Sequence, residues 1–89
     1  MNLSMLNIGN GTVLMAAKVN AIVKFDSVRI KKEVSRLRES EDNGKLIDAT
    51  KHKAIKSVII MDNGIYALSN LTSDTLVKRL AELMGGKDA

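Results

Sequence analysis

Between Thr50 and Ser57 the chain reads Lys51-His52-Lys53-Ala54-Ile55-Lys56, three lysines and one histidine with no acid. Ammonium groups crowded into a short connector suit the holding of an anion, each acting as a point charge. His52 is the chain's sole histidine, cysteine is absent, and the nearest carboxylate in sequence is Asp48, so the several converging ligands a metal needs are not suggested. Asp48 and Asp62 could be drawn as a general acid–base pair. Both stand at the ends of apolar runs, however, where aspartate commonly bonds its own backbone to close a turn. A Ser/His/Asp set has the residue types but no spacing that brings them together. Gly9-Asn10-Gly11 lacks the Gly-Lys-Ser/Thr ending of a phosphate loop and the third glycine of a dinucleotide fingerprint, and no helical pattern follows it. It reads as a turn. These residues predict no catalytic group, no metal and no cofactor, and they predict recognition of something anionic.

Such a connector needs a rigid frame. Leu46-Ile47-Asp48-Ala49-Thr50 precedes it and Ser57–Met61 follows, both rich in the β-branched and apolar residues that suit strands. Asp62-Asn63-Gly64 then turns the chain into Ile65-Tyr66-Ala67-Leu68, with Asn-Gly as a two-residue hairpin signal. Upstream, Leu3–Ile8 and Thr12–Ala16 flank the Gly9-Asn10-Gly11 turn, and Asn20–Phe25 reads as a further strand. Asp26-Ser27 supplies a cap for a helix in which Ile30, Val34 and Leu37 recur at i, i+4, i+7 through about Ser40, with Asn43-Gly44 ending it. That helix exposes Arg29, Lys31, Lys32 and Arg36. Thr72-Ser73-Asp74 caps a second helix carrying Leu76, Leu80 and Leu83, with Val77 and Met84 beside that stripe, and Gly85-Gly86 stops it. The apolar residues on its second side fit either a wide buried face or a neighbouring subunit. Strands in runs, interrupted by helices, define an α+β fold with a small antiparallel or mixed sheet and two helices.

At 89 residues, 45% hydrophobic and 27% charged, the chain suits one small domain, residues 1–86, with 87–89 as a frayed tail. A core this small gains from burying further apolar surface in a homo-oligomer. No stretch resembles a signal peptide, and none nears the roughly 18 apolar residues of a membrane span, so a cytoplasmic location without membrane or small-molecule partners is expected.

The formal net charge is +4 and it is uneven. Residues 1–25 hold Lys18 and Lys24 and no acid, and Arg29–Arg38 holds five basic residues against Glu33, whereas Glu39, Glu41 and Asp42 cluster after it. A basic surface favours nucleic acid or an anionic membrane, although each lysine taken singly also fits a solvated surface charge. Phe25 and Tyr66 are the only aromatics, too few for a base-stacking platform, so duplex binding through phosphates is the better match. No helix-turn-helix pattern is visible.

Four stretches resemble the RemA-type regulators of extracellular-matrix genes. Asn7-Ile8-Gly9-Asn10-Gly11 matches the family's Asn-Ile-Gly-x-Gly, and Leu46-Ile47-Asp48-Ala49-Thr50 matches its Leu-Ile-Asp-Ala-Thr. Val58-Ile59-Ile60-Met61-Asp62 with Leu68-Ser69 matches the hairpin after it, and Thr75–Leu80 resembles the closing helix. The resemblance implies a small cytoplasmic DNA-binding protein with a LytTR-like fold, assembling into a ring that activates matrix (biofilm) operons and lays basic residues along double-stranded DNA. The family's basic residue after the second strand corresponds to Lys18. Its typical Gly-Arg-Arg-Thr-Arg loop corresponds here to His52-Lys53-Ala54-Ile55-Lys56, so Lys53 and Lys56 keep charge and Ala54 does not. Arginine can grip guanine with two parallel bonds and lysine cannot, so phosphate attraction should survive with weaker base preference than in arginine-bearing relatives.

The leading expectation is therefore a DNA-binding regulator with Lys18, Lys53 and Lys56 near phosphates. Lys51 and Arg29 are added from charge and loop position alone. The alternative is an oligomeric scaffold whose basic face docks an acidic partner protein.

Overall fold

The computed structural model describes residues 4–40 and 43–85. Leu3, Glu41, Asp42, Gly86 and the expected tail 87–89 lie outside the described residues. The elements run β1 (Met5–Gly9), β2 (Thr12–Met15), β3 (Val19–Lys24), α1 (Val28–Glu39), β4 (Leu46–Asp48), β5 (Ser57–Met61), β6 (Tyr66–Ser69) and α2 (Ser73–Leu83). The α+β class and the order of elements are those expected from the pattern of apolar runs.

β1 and β2 form a separate antiparallel hairpin, and the other four strands form a mixed sheet in the order β3-β5-β6-β4. β3 and β6 flank β5 antiparallel, whereas β4 joins the edge parallel to β6 with Leu46 opposite Tyr66. β5 lies between two neighbours and packs on both faces, which is why its sequence is an apolar run rather than an alternation. Ile59 and Met61 point to one side, Val58 to the other.

Two cores follow. On one side Ile59, Met61, Ala67 and Ala49 meet Leu6, Ile8 and Leu14 of the hairpin and Leu76 of α2, with Leu80 and Leu83 packed alongside. On the other, Val58 and Leu68 meet Val34 of α1, joined by Phe25, Ile30, Ile55 and Tyr66. Leu6, Ile8, Ile59, Leu68 and Leu76 are fully buried. Burying each such side chain stabilises by roughly 1.5–3 kcal/mol.

Helix starts follow the expected chemistry. Ser27 Oγ accepts from the Ile30 amide and Thr72 Oγ1 from the Thr75 amide. One turn differs from expectation. Asn63-Gly64 is not a two-residue hairpin: Asp62–Gly64 forms a three-residue loop, closed by Met61 N–H donating to Ile65 O, with Gly64 at φ +74°. Gly64 takes the left-handed position that follows a turn in this loop class. The two-residue turn with both φ positive is Asn10-Gly11, at +54° and +82°, between paired Gly9 and Thr12. Gly9 itself has φ +111°, and a Cβ there would stand 3.3 Å from Asn70 Oδ1, so this position admits only glycine. The first helix ends at Glu39, in line with the expected end near Ser40, but Asn43-Gly44 is not what closes it. Ser40 is already extended, and Asn43–Lys45 forms a separate 3-10 turn leading into β4.

In α2 the Leu76, Leu80, Leu83 stripe faces the core while Val77 and Met84 are 51% and 64% exposed, so the second side of this apolar surface is not covered by the described residues. The outer face of the hairpin is similar, with Met5, Val13 and Met15 exposed.

Candidate nucleic-acid interface

The lysine connector is seated by hydrogen bonds on β4, on β6 and on Phe25 just past β3. At its root, Asp48 Oδ1 accepts from Thr50 N–H at 2.9 Å and from Thr50 Oγ1 at 2.6 Å. Thr50 is 2% exposed, so its hydroxyl needs that partner. Between them Ala49 is buried, its N–H donating to Leu68 O and its carbonyl accepting from Asn10 Nδ2 at 2.8 Å. The hairpin turn thus reaches across to hold the base of the connector, and Asn10 also donates to Asn70 Oδ1. At the far end Lys56 N–H donates to Ser69 O, and Lys56 O accepts from Phe25 N–H. Ile55 turns inward against the Val34, Val58, Leu68 core.

Between these anchors the chain makes a tight turn. Lys53 N–H donates to Thr50 O at 3.0 Å, and the two central residues, Lys51 and His52, have φ of +50° and +70°. Left-handed backbone costs a residue with a Cβ roughly 1–2 kcal/mol, so such a turn on lysine and histidine persists only where its surroundings impose it. His52 occupies the position at which the resembled loop carries glycine. The turn leaves the side chains of Lys51, His52, Lys53 and Lys56 exposed, with Ala54 exposed among them.

The carboxyl of Asp48 lies below the usual carboxylate range. The Thr50 hydroxyl and amide are the main cause, and Arg38, 3.8 Å from Oδ2, adds to it. An ion pair this exposed contributes little stability by itself. Asp48 therefore serves the turn as a charged acceptor, as its place at a strand end suggested.

The predicted site residues do not form one patch. Lys51, Lys53 and Lys56 lie together at the end of the sheet where Ser57 pairs with Lys24. Lys18 ends the 3-10 turn Ala16–Lys18 and precedes Val19, which pairs with Met61 at the opposite end of the same ladder. The length of β3 puts the two groups roughly 16 Å apart. Arg29 lies in the first turn of α1, exposed, where its charge helps to depress the Glu33 carboxyl that Arg36 binds at 3.0 Å. It belongs to the helix face and not to the connector. Sequence reasoning missed the closeness of Lys24 to Lys56. Both line an open cleft with Phe25, Ile55 and the start of α2, and only the β3–β5 register reveals it. That cleft also holds Asp26 and Asp74, which balance the two lysines.

Phe25 and Tyr66, the two aromatics, both pack against the α1-side core. Both rings are half-buried, and Lys31 Nζ stands 5.8 Å from the Phe25 ring centroid. Among the described residues, no three of His, Cys, Asp or Glu converge as a metal site would require, and no helix is long and apolar enough to cross a membrane.

Comparison with known proteins places the chain in a family. The sequence profile of the RemA-like family, described as extracellular matrix regulatory protein A-like, matches residues 5–80. A protein of a Geobacillus species, provisionally named a regulatory protein, is 40% identical over 80 residues, covering 90% of this chain and 88% of its own. Its counterpart in Geobacillus kaustophilus gives the same figures, and one from Oceanobacillus iheyensis is 39% identical with 90% of each chain covered. The matched span takes in the Asn10 turn, the Asp48–Thr50 root and the lysine connector, and the chain belongs to the RemA-like family of regulatory proteins.

Proposed function

We propose that this protein is a DNA-binding transcriptional regulator, an activator of extracellular-matrix genes in the cytoplasm, acting as a ring-shaped homo-oligomer on duplex DNA. The observation that carries the proposal is the Thr50–Lys53 turn. Its backbone is held in an unfavourable conformation by a buried root, and that conformation displays Lys51, Lys53 and Lys56 to solvent. Family membership supports the regulatory role.

Lys18 is a second contact, at the other end of the ladder. One subunit then offers two separated points of attachment, and a repeating assembly turns them into a track. Linked weak contacts bind at high effective concentration, so a ring gains affinity without any strong single contact. The exposed Met5, Val13 and Met15 on the hairpin and Val77 and Met84 on α2 are the apolar surfaces available for subunit contact. Arg29 contributes less, because Glu33 shares its field. With lysine as the main cation, contacts fall on phosphates and base preference is weak.

The test is fluorescence anisotropy of a labelled random-sequence duplex titrated with the protein at several salt concentrations. Affinity falling steeply along a log–log line supports the reading, because lysines at phosphates release counterions. Absence of binding at low salt overturns it and favours a scaffold that docks an acidic protein. A sharply defined base motif in a selection experiment removes the claim of weak preference.

A further inference from the structure

We infer that Asp48 is a positioning residue for the lysine turn, so that an acid beside a cationic site strengthens anion binding through the acceptor oxygen it offers the backbone and in spite of its charge. The inference rests on the DNA-binding reading and adds a residue whose charge has the wrong sign for it. Asp48 is half exposed and lies two residues from Thr50, at the root of a turn meant for phosphate. By charge alone its removal should tighten binding, since an acid near the site repels DNA.

The geometry argues the reverse. One oxygen, Oδ1, takes both the amide and the hydroxyl of Thr50, fixing the residue whose carbonyl closes the turn with Lys53 N–H. Oδ2 faces Arg38, which steadies the carboxylate from the α1 side. Asn10 holds the intervening Ala49 carbonyl. Lys51 and His52 stand at φ +50° and +70°, and the bonds among the described residues that bracket them are those of the root and the Thr50–Lys53 closure, which impose the angles. Without the Asp48 acceptor the turn relaxes to ordinary backbone and its lysines scatter. The binding-competent conformer becomes a fraction of the population, and apparent affinity falls by that fraction.

The test compares Asp48→Ala and Asp48→Asn in the full chain, with a random-sequence duplex as probe. Asparagine keeps an Oδ1 acceptor for Thr50 and loses the charge, whereas alanine loses both. Asp48→Ala should bind about five- to tenfold more weakly, with the salt slope unchanged because every lysine is still present. Asp48→Asn should bind as well as the parent or better. If Asp48→Ala binds equally or more tightly, or Asp48→Asn falls as far as Asp48→Ala, the inference is wrong. Hydrogen exchange of the Lys53 amide, measured without DNA, separates this from the function itself. Protection lost in Asp48→Ala and kept in Asp48→Asn upholds the root even if the parent fails to bind DNA. Protection kept in Asp48→Ala overturns it whatever the DNA result.

Discussion

Replacing Lys53 and Lys56 together by alanine should change the salt dependence of DNA binding in a way fixed by counting contacts. On the proposed reading four lysines per subunit contact phosphates: Lys18, Lys51, Lys53 and Lys56, all exposed. Each neutralised phosphate contributes about 0.9 to the slope of log K against log salt, so one subunit should show a slope of about −3.6. Raising salt fourfold then lowers affinity by about 150-fold. The double variant keeps two contacts, a slope of about −1.8 and a loss of about 12-fold over the same interval. More subunits on the duplex steepen both slopes, but their ratio stays near two, and this makes the measurement independent of the number of copies engaged. The assay is anisotropy from low to moderate salt, with Lys32→Ala/Lys78→Ala as the control. That pair removes the same net charge from the exposed faces of α1 and α2. Equal slopes for parent and Lys53→Ala/Lys56→Ala, or an equal drop in the control, would show that binding uses general charge and not this connector.

Asn10 should resist replacement for two separable reasons. Asn10→Gly keeps the positive φ and loses the bonds to Ala49 O and Asn70 Oδ1, costing about 1 kcal/mol, or roughly 4–8 °C in Tm. Asn10→Ala loses the bonds and strains the backbone as well, costing about 2–3 kcal/mol; thermal unfolding that ranks the two variants equal would remove the strain argument. Acid should act on the turn through Asp48. Its carboxyl is depressed in the folded chain, so its contribution is fully present above the ordinary carboxylate range and is lost as pH falls through the lower folded value. The Thr50 amide resonance should accordingly stay constant from pH 8 to 5 and shift only below about pH 4; a midpoint at or above 5 contradicts the hydrogen-bonded root.

Much of the frame was legible because its signals are local. The alternation Leu6, Ile8 against Met5, Asn7, and the Val34, Leu37 spacing, declare which side meets a core before any partner is known. Ser27 and Thr72 declare their helices through a side chain that reaches only three residues on. The turns were harder. Asn63-Gly64 and Asn10-Gly11 share a dipeptide, yet pairing of the flanking strands gave one a three-residue loop and the other two residues. The lysine connector was legible as charge and not as shape, since nothing in lysine favours a left-handed backbone. The readable clue was Asp48 two residues before the turn begins, in position to accept from Thr50. The separation of Lys18 from the connector depends on the β3–β5 register, a long-range property, and so does the meeting of Lys24 with Lys56.

The parallel edge strand has a consequence for the timing of folding and opening. β4 is attached to the sheet through β6 alone, by three paired positions, and its partner lies twenty residues further along the chain. The β1–β2 and β5–β6 hairpins close over a few residues, on the order of microseconds. The β4 contact requires a longer loop to shut first, so it is favoured only after β5 and β6 have met. The same asymmetry operates in the native state. Thermal fluctuation can peel β4 from the edge while the β3-β5-β6 core stays intact, the sub-global opening that amide exchange detects well below the cost of unfolding. Since Asp48 ends β4, the root of the lysine turn comes away with it. Exchange at Ala49, whose amide is bound to Leu68 O, would therefore report how often the lysine turn dissolves and re-forms.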